Sequence, residues 1–167
     1  MSLSGEVVAV GSNVTRFSVG DDVFGEAGLN FGANANHICL HANSVLLHKP
    51  SWLRHQEAAV LCDGVLTSYN FLVHIANVKA GENVLILGAS GSLGTAAVQI
   101  GAAIGAQVTG VCSAQNTDLV TKLGAAHVID YAQEDFTKQN TRYDVIFDTL
   151  GIAPFAKAKS ALSRSGR

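Results

Sequence analysis

Charge is scarce in this chain. Only 14% of its 167 residues are Asp, Glu, Lys or Arg, and 11 basic against 13 acidic residues leave a net charge of −2. With a pI near 6.3, no broad cationic face exists to neutralise a phosphate backbone, so nucleic acid and anionic membrane are not expected partners. Cysteine is scarcer: Cys39, Cys62 and Cys112 form no C-x-x-C pair and leave an odd one over. That speaks against a disulfide framework or a cysteine-rich zinc module and for a reducing compartment. The opening residues show no basic region followed by an apolar one, and no uninterrupted run reaches the ~18 apolar residues of a membrane span. Internal repeats and low-complexity segments are absent too. The expectation is a soluble, cytoplasmic protein.

What is present is apolar residues, 48% of the chain, and 17 glycines. The length allows one sizeable core, or two small or incomplete domains. The pattern changes near His55. Before it, short β-type runs are broken by turns: residues 6–10, then Val23, Phe24 and Gly25 after a turn at 19–22, then 37–40 and 44–48. After it, helices and strands alternate. Helical stretches are expected at 56–61, 67–75, 94–104, 119–123 and 155–162, and strands at 83–87, 107–112, 127–130 and 143–148. Buried apolar strands alternating with helices predict a parallel, doubly wound α/β sheet.

The strongest chemical signal is Gly88-Ala89-Ser90-Gly91-Ser92-Leu93-Gly94, between a predicted strand and a predicted helix. Gly88 suits a tight turn, Gly91 lets the backbone approach a pyrophosphate, and Gly94 allows helix to pack closely on strand. Amides at the helix start, helped by its dipole, would then face the phosphates. The spacing is G-x-x-G-x-x-G and not G-x-G-x-x-G, so the strand and helix around it carry much of the inference. The second strand ends in Cys112, Ser113, Ala114, Gln115 and Asn116, with no acidic residue before Asp118. A carboxylate there would bind the ribose hydroxyls of NAD; small neutral residues leave room for the 2′-phosphate of NADP, to which Ser113 is able to donate.

Several segments in order resemble the medium-chain dehydrogenase/reductase superfamily, in its zinc-independent quinone oxidoreductase-like branch. They are residues 20–25 (Gly20 to Gly25), Lys49-Pro50, Glu57 to Ala59, Leu66 to Tyr69, the glycine loop, Leu123 to Ala125 with Val128 to Tyr131, and Tyr143 to Gly151. The resemblance implies that residues 1–55 are the later part of a GroES-like β domain and 56–167 the first part of a Rossmann domain. It implies hydride transfer from NADP(H), with NAD(H) the alternative, to a quinone or activated enone. By position, Thr67 and Tyr69 fall on the nicotinamide side, Ala89 to Gly94 at the pyrophosphate, Ser113 and Tyr131 at the 2′-phosphate, and Leu150 and Gly151 beside the ribose. The family often has a lysine where this chain has Gln115 or Asn116. The resemblance also implies a fragment, with Met1-Ser2-Leu3 a vector remnant, a bare edge on the fourth strand, association into a homo-oligomer, and weak or absent turnover alone.

Other chemistries are less well supported. Residues 26–36 hold none of the four cysteines of a structural zinc loop, and two catalytic zinc ligands of zinc alcohol dehydrogenases would lie upstream of this chain. The third would fall near Asp63, for which a helix-start role is preferred. No zinc is expected, although a zinc-dependent alcohol dehydrogenase and a non-catalytic nucleotide-binding protein of the same fold remain the alternatives. His37, Cys39 and His41 would share one face of a strand, where partly exposed side chains are preferred to a metal site. No G-x-S-x-G elbow and no Walker lysine accompany the glycine loop, and Cys112 reads as a packed thiol.

Overall fold

The computed structural model describes residues 2–28 and 31–167. Met1, of the expected remnant, and Leu29 and Asn30, of the cysteine-free stretch 26–36, lie outside the described residues. Two compact units divide between Leu66 and Thr67.

The first unit holds a three-stranded antiparallel sheet in the order β1-β2-β3, with β1 Ser2–Glu6, β2 Asp22–Glu26 and β3 Leu46–His48. Two expectations are corrected here. The first strand ends at Glu6 and does not run over residues 6–10, because its ladder partner ends there: Glu6 faces Asp22, and the Val7 carbonyl accepts from Gly20 at 2.8 Å to close the turn. Val8 and Val10, with no strand beside them, are exposed. Residues 37–41 are irregular, so His37, Cys39 and His41 do not share a strand face. A small core of Phe17, Val23 and Leu46 holds the sheet.

Helix α1 (His55–Val60) follows, then a π-helical turn Leu61–Val65, α2 (Leu66–Tyr69) and a second π-helical stretch Asn70–Ile75. Together His55–Ile75 make one helical run of 21 residues with a mean hydropathy of 1.3 in its most apolar window, long and apolar enough by composition to cross a membrane. Glu57, Asp63 and His74 interrupt its apolar sequence, which is why no unbroken run marks it.

The second unit carries a four-stranded, wholly parallel sheet. Its strands are β4 (Asn83–Leu87), β5 (Gln107–Cys112), β6 (His127–Asp130) and β7 (Val145–Asp148), in the order β6-β5-β4-β7. Helices α3 (Ser92–Ile104), α4 (Thr117–Lys122) and α5 (Phe155–Lys159) complete it. Strand alternation explains the burial: Val84 and Ile86 join a core with Val98, Val108 and Val120, while Leu85 and Leu87 join Ile129, Phe136 and Tyr143 on the opposite face. Both faces of β4 are therefore dry, and each such side chain contributes about 1.5–3 kcal/mol relative to exposure. This is the doubly wound α/β architecture that the alternating pattern predicts.

The expected bare edge on the fourth strand is corrected in part. Residues 161–167 run beside the start of β7, with Tyr143 bridging Leu162 in parallel, and the Ile146 amide donating to the Arg167 carbonyl at 3.0 Å. Arg167 also reaches the Ala76 carbonyl and the Glu82 carboxylate, which fixes that segment against the turn before β4.

Candidate cofactor site

The chain leaves β4 toward β5 on one side of the sheet and returns as β7 on the other. The carboxyl ends of β4 and β7 therefore flank a topological switch point, where doubly wound sheets bind ligands. The glycine loop lies there. Gly88 has a φ of +75°, and a side chain on it would strike Thr149 Oγ1 at 2.7 Å and Leu150 Cγ at 2.8 Å. The loop is tied to β5 through the Gly88 and Ala89 amides, which both donate to the Val111 carbonyl at 3.1 and 2.9 Å. Gly91 is the N-cap of α3, and the first helical bond runs from the Thr95 amide to its carbonyl at 2.8 Å. By helix geometry the amides of Ser92, Leu93 and Gly94 precede that first bond and have no partner within the helix, so they form a donor cradle for an anion. A Cβ on Gly91 would find only the Gly88 carbonyl oxygen, at 3.4 Å. The space above the cradle is open on the cleft side, as a pyrophosphate requires.

A cleft of about 850 Å³ opens from this loop. Of the residues named from the sequence, Gly88, Ser90, Gly91, Ser113, Asn116, Tyr131 and Leu150 line it together. Ala89 and Gly94 are buried beneath, where they support the loop. Gly151, φ +66°, is exposed in the turn after β7. Thr67 and Tyr69 sit on α2 and are not in this wall; Thr67 is half-buried, and the Tyr69 ring meets His74 edge-on at 5.4 Å. The neighbouring Ser68 is fully buried and donates to the Leu93 carbonyl at 2.8 Å, which anchors α2 to the start of α3.

Other wall residues escaped the sequence reading. Residues 132–136, Lys138, Ile152, Ala153 and Lys157 complete the cleft, and they come from loops and a short helix without periodic signature. Asp148 organises one of these loops. Its Oδ1 accepts from the amides of Leu150 and Gly151, each at 3.0 Å, and its Oδ2 from Ala153 at 2.7 Å. Asp135 accepts from the Thr137 amide and hydroxyl at 3.0 and 2.9 Å, and these bonds with the charge of Lys157 hold its carboxyl below the usual range. Cys112 lies in the wall at 2% exposure. Burial pushes its thiol up, the Asp130 charge adds to that, and a bond with Thr117 opposes both.

In the first unit, His55 Nδ1 lies 2.7 Å from Ser4 Oγ and its Nε2 3.3 Å from Asp22 Oδ1, while Lys49 reaches Asp22 Oδ2 at 3.2 Å. The Ser4 hydroxyl also faces the Val23 carbonyl at 3.0 Å, so this is a clamp joining β1, β2 and α1, and His55 has a partner on each ring nitrogen. Among the described residues, no three His, Cys, Asp or Glu side chains converge to hold a metal ion.

Comparison with known proteins places these features in context. A family described as zinc-binding dehydrogenase matches residues 92–167. A quinone oxidoreductase-like protein 2 homolog of Nematostella vectensis is 39% identical, covering 98% of this chain and 46% of that protein. A mitochondrial NAD(P)H oxidoreductase of Mus musculus is 37% identical, covering 89% of this chain and 39% of that protein. The solved quinone oxidoreductase from Coxiella burnetii superposes with a TM-score of 0.86 at 30% identity, over 99% of this chain and 52% of that one. The chain thus spans about half the length of the curated relatives it matches.

Proposed function

Because this chain belongs to the medium-chain dehydrogenase/reductase superfamily, in its quinone oxidoreductase-like branch, we propose that it forms the dinucleotide side of an oxidoreductase that uses NADP(H) to reduce a quinone or an activated enone. The observation that carries this reading is the glycine loop at the switch point between β4 and β7, opening directly onto the cleft. The nicotinamide group supplies the hydride, and the protein supplies binding, orientation and exclusion of water.

Each part of the site has a task. The α3 amides hold the pyrophosphate, Ser113, Asn116 and Tyr131 surround the adenosine end, and Leu150 and Gly151 flank a ribose. Thr67 and Tyr69 lie on the nicotinamide side. Residues 1–55 are read as the later part of a GroES-like β domain and 56–167 as the first part of the Rossmann domain, in a cytoplasmic homo-oligomer. Relatives named quinone oxidoreductase and NAD(P)H oxidoreductase support the same chemistry.

Titration of the chain with NADPH and NADH, read by intrinsic fluorescence, tests the proposal at the level of binding. Saturable micromolar quenching is expected, with NADPH the tighter ligand. No binding of either would overturn the reading of the glycine loop.

A further inference from the structure

Ser68 and Thr109 are the buried polar side chains among the described residues, and Ser68 is fully buried. Its hydroxyl donates to the Leu93 carbonyl, 25 residues on, at 2.8 Å. Leu93 is the second residue of α3, whose first-turn amides form the anion cradle. A carbonyl oxygen has two lone pairs, so Leu93 serves the helical amide four residues ahead with one and the serine with the other. An alanine would fill the same space with no hydroxyl to desolvate, and one such bond adds little net stability. What the bond supplies is a fixed position.

The segment that carries Ser68 has a second anchor. Phe71 stacks on Phe147 of β7, with ring centroids 5.4 Å apart and planes 27° from parallel, and Leu72 is buried in the same core as Val98 of α3. In an α-helix Ile75 would share the buried stripe of Ser68 and Leu72, but the π-helical turn bonds the Ala76 amide to the Phe71 carbonyl at 2.7 Å and moves that stripe on by one residue. Ile75 is exposed, and Ala76 packs against the core. The segment is thus tied to α3, which follows β4, and to β7, the two sides of the switch point. Successive residues of a helix stand roughly 100° apart, so holding Ser68 inward also fixes the directions of Thr67 and Tyr69 on its flanks.

We propose that Ser68 is a positioning residue for the nicotinamide end of the site: its bond to the Leu93 carbonyl sets Thr67 and Tyr69 at a fixed place relative to the pyrophosphate cradle, so that both grip one ligand in register. The inference rests on the reading of the cleft as a dinucleotide site with Thr67 and Tyr69 on its nicotinamide side. The coupling is one-sided. Buried Ala96, Ala97 and Val98 hold α3 in the core without help from Ser68, so the cradle keeps its place when the bond is lost and the nicotinamide side does not.

Calorimetric titration with NADP⁺ and with 2′-phospho-ADP-ribose, which lacks only the nicotinamide, tests this without turnover. The unsubstituted chain should bind NADP⁺ the more tightly. In Ser68→Ala the affinity for NADP⁺ should fall about three- to tenfold, the worth of one hydrogen bond, while that for 2′-phospho-ADP-ribose should hold to within about twofold. Phe71→Ala removes the other anchor at a partly exposed ring and should give the same one-sided loss; if Ser68→Ala does not fold, this variant decides the question. A merely structural serine would weaken both ligands in parallel or neither, and either result overturns the proposal. Equal affinity of the unsubstituted chain for the two ligands also overturns it and leaves the dinucleotide reading intact. Binding of neither ligand removes both.

Discussion

Gly94 packs so closely beneath Gly88 that a side chain there would press on the Gly88 carbonyl oxygen and lie 2.7 Å from the Ala89 backbone. Gly94→Ala should therefore destabilise the second unit by about 1–3 kcal/mol, since the obstruction is backbone and has no rotamer to yield. Gly91→Ala is the contrast. Its Cβ meets only one atom, at 3.4 Å, so stability should change by about 0.5 kcal/mol or less. The new methyl would stand where the pyrophosphate is proposed to lie, and NADP⁺ affinity should fall roughly tenfold. Urea unfolding and calorimetry on the two variants separate packing from binding. Equal loss of stability in both would refute the distinction.

Glu82 and Arg167 give the second unit a pH-dependent contact. The guanidinium donates to both carboxylate oxygens at 3.1 and 3.0 Å, and this bond, with a further one from the Lys79 amide, pulls the Glu82 carboxyl down from its ordinary 4.5 despite some burial and the charge of Asp144. A carboxyl depressed in the folded state adds stability that is complete above 4.5 and lost as pH falls through the lower folded value. The pair is partly exposed, so about 0.2–1 kcal/mol is at stake. Denaturation midpoints should decline more steeply below pH 4.5 in the unsubstituted chain than in Glu82→Gln. Parallel acid profiles would show that the contact contributes nothing.

The three thiols should differ in reactivity. Cys39 is exposed; Cys62 is half-buried, with its thiol pushed up first by burial and then by the Glu26 charge; Cys112 is buried, with its thiol pushed up for the reasons above. Thiolate is the reacting form, so alkylation by iodoacetamide near neutral pH should label Cys39 first and Cys112 last, roughly tenfold or more slowly. NADP⁺ should slow Cys112 further, because that residue lines the cleft. Mass spectrometry resolves the three sites. Cys112 labelled as fast as Cys39 would contradict its place in the core.

The second unit was far more legible in the sequence than the first, for a physical reason. A parallel strand covered on both faces must be largely apolar, so residues 83–87 and 107–112 announce β4 and β5; β6, at the sheet edge with only Ile129 buried, is marked by its place in the alternation of strands and helices. In the first unit the strands are short, and their limits depend on where a partner stops hydrogen bonding, as at Glu6 and Asp22. Residues 37–41 alternate like a strand but pair with no strand among the described residues. The same contrast holds at the site. Gly88, Gly91 and Gly94 were legible because backbone approach demands glycine at fixed spacing. Asn116 was legible only as a position. Its bond to Ser90 spans 26 residues and depends on the fold that brings β4 and β5 side by side.

Asp148 yields the last prediction, because no periodicity marks it and yet three backbone amides converge on it. Its bonds to Leu150, Gly151 and Ala153 shape the turn after β7, and Leu150 stands against the Gly88 position across the switch point. Asp148→Ala leaves those amides to water, at a cost of about 1–3 kcal/mol set by how exposed the turn is. Asp148→Asn keeps the oxygen that serves Leu150 and Gly151 and gives up the acceptor for Ala153, so it should fall between the two. Hydrogen exchange at 150–153 should quicken in the order unsubstituted, Asn, Ala, and NADP⁺ affinity should weaken in the same order. A turn held by its own backbone would show no such ranking. Unchanged exchange in Asp148→Ala, with affinity intact, would mean that this wall of the cleft stands without the carboxylate.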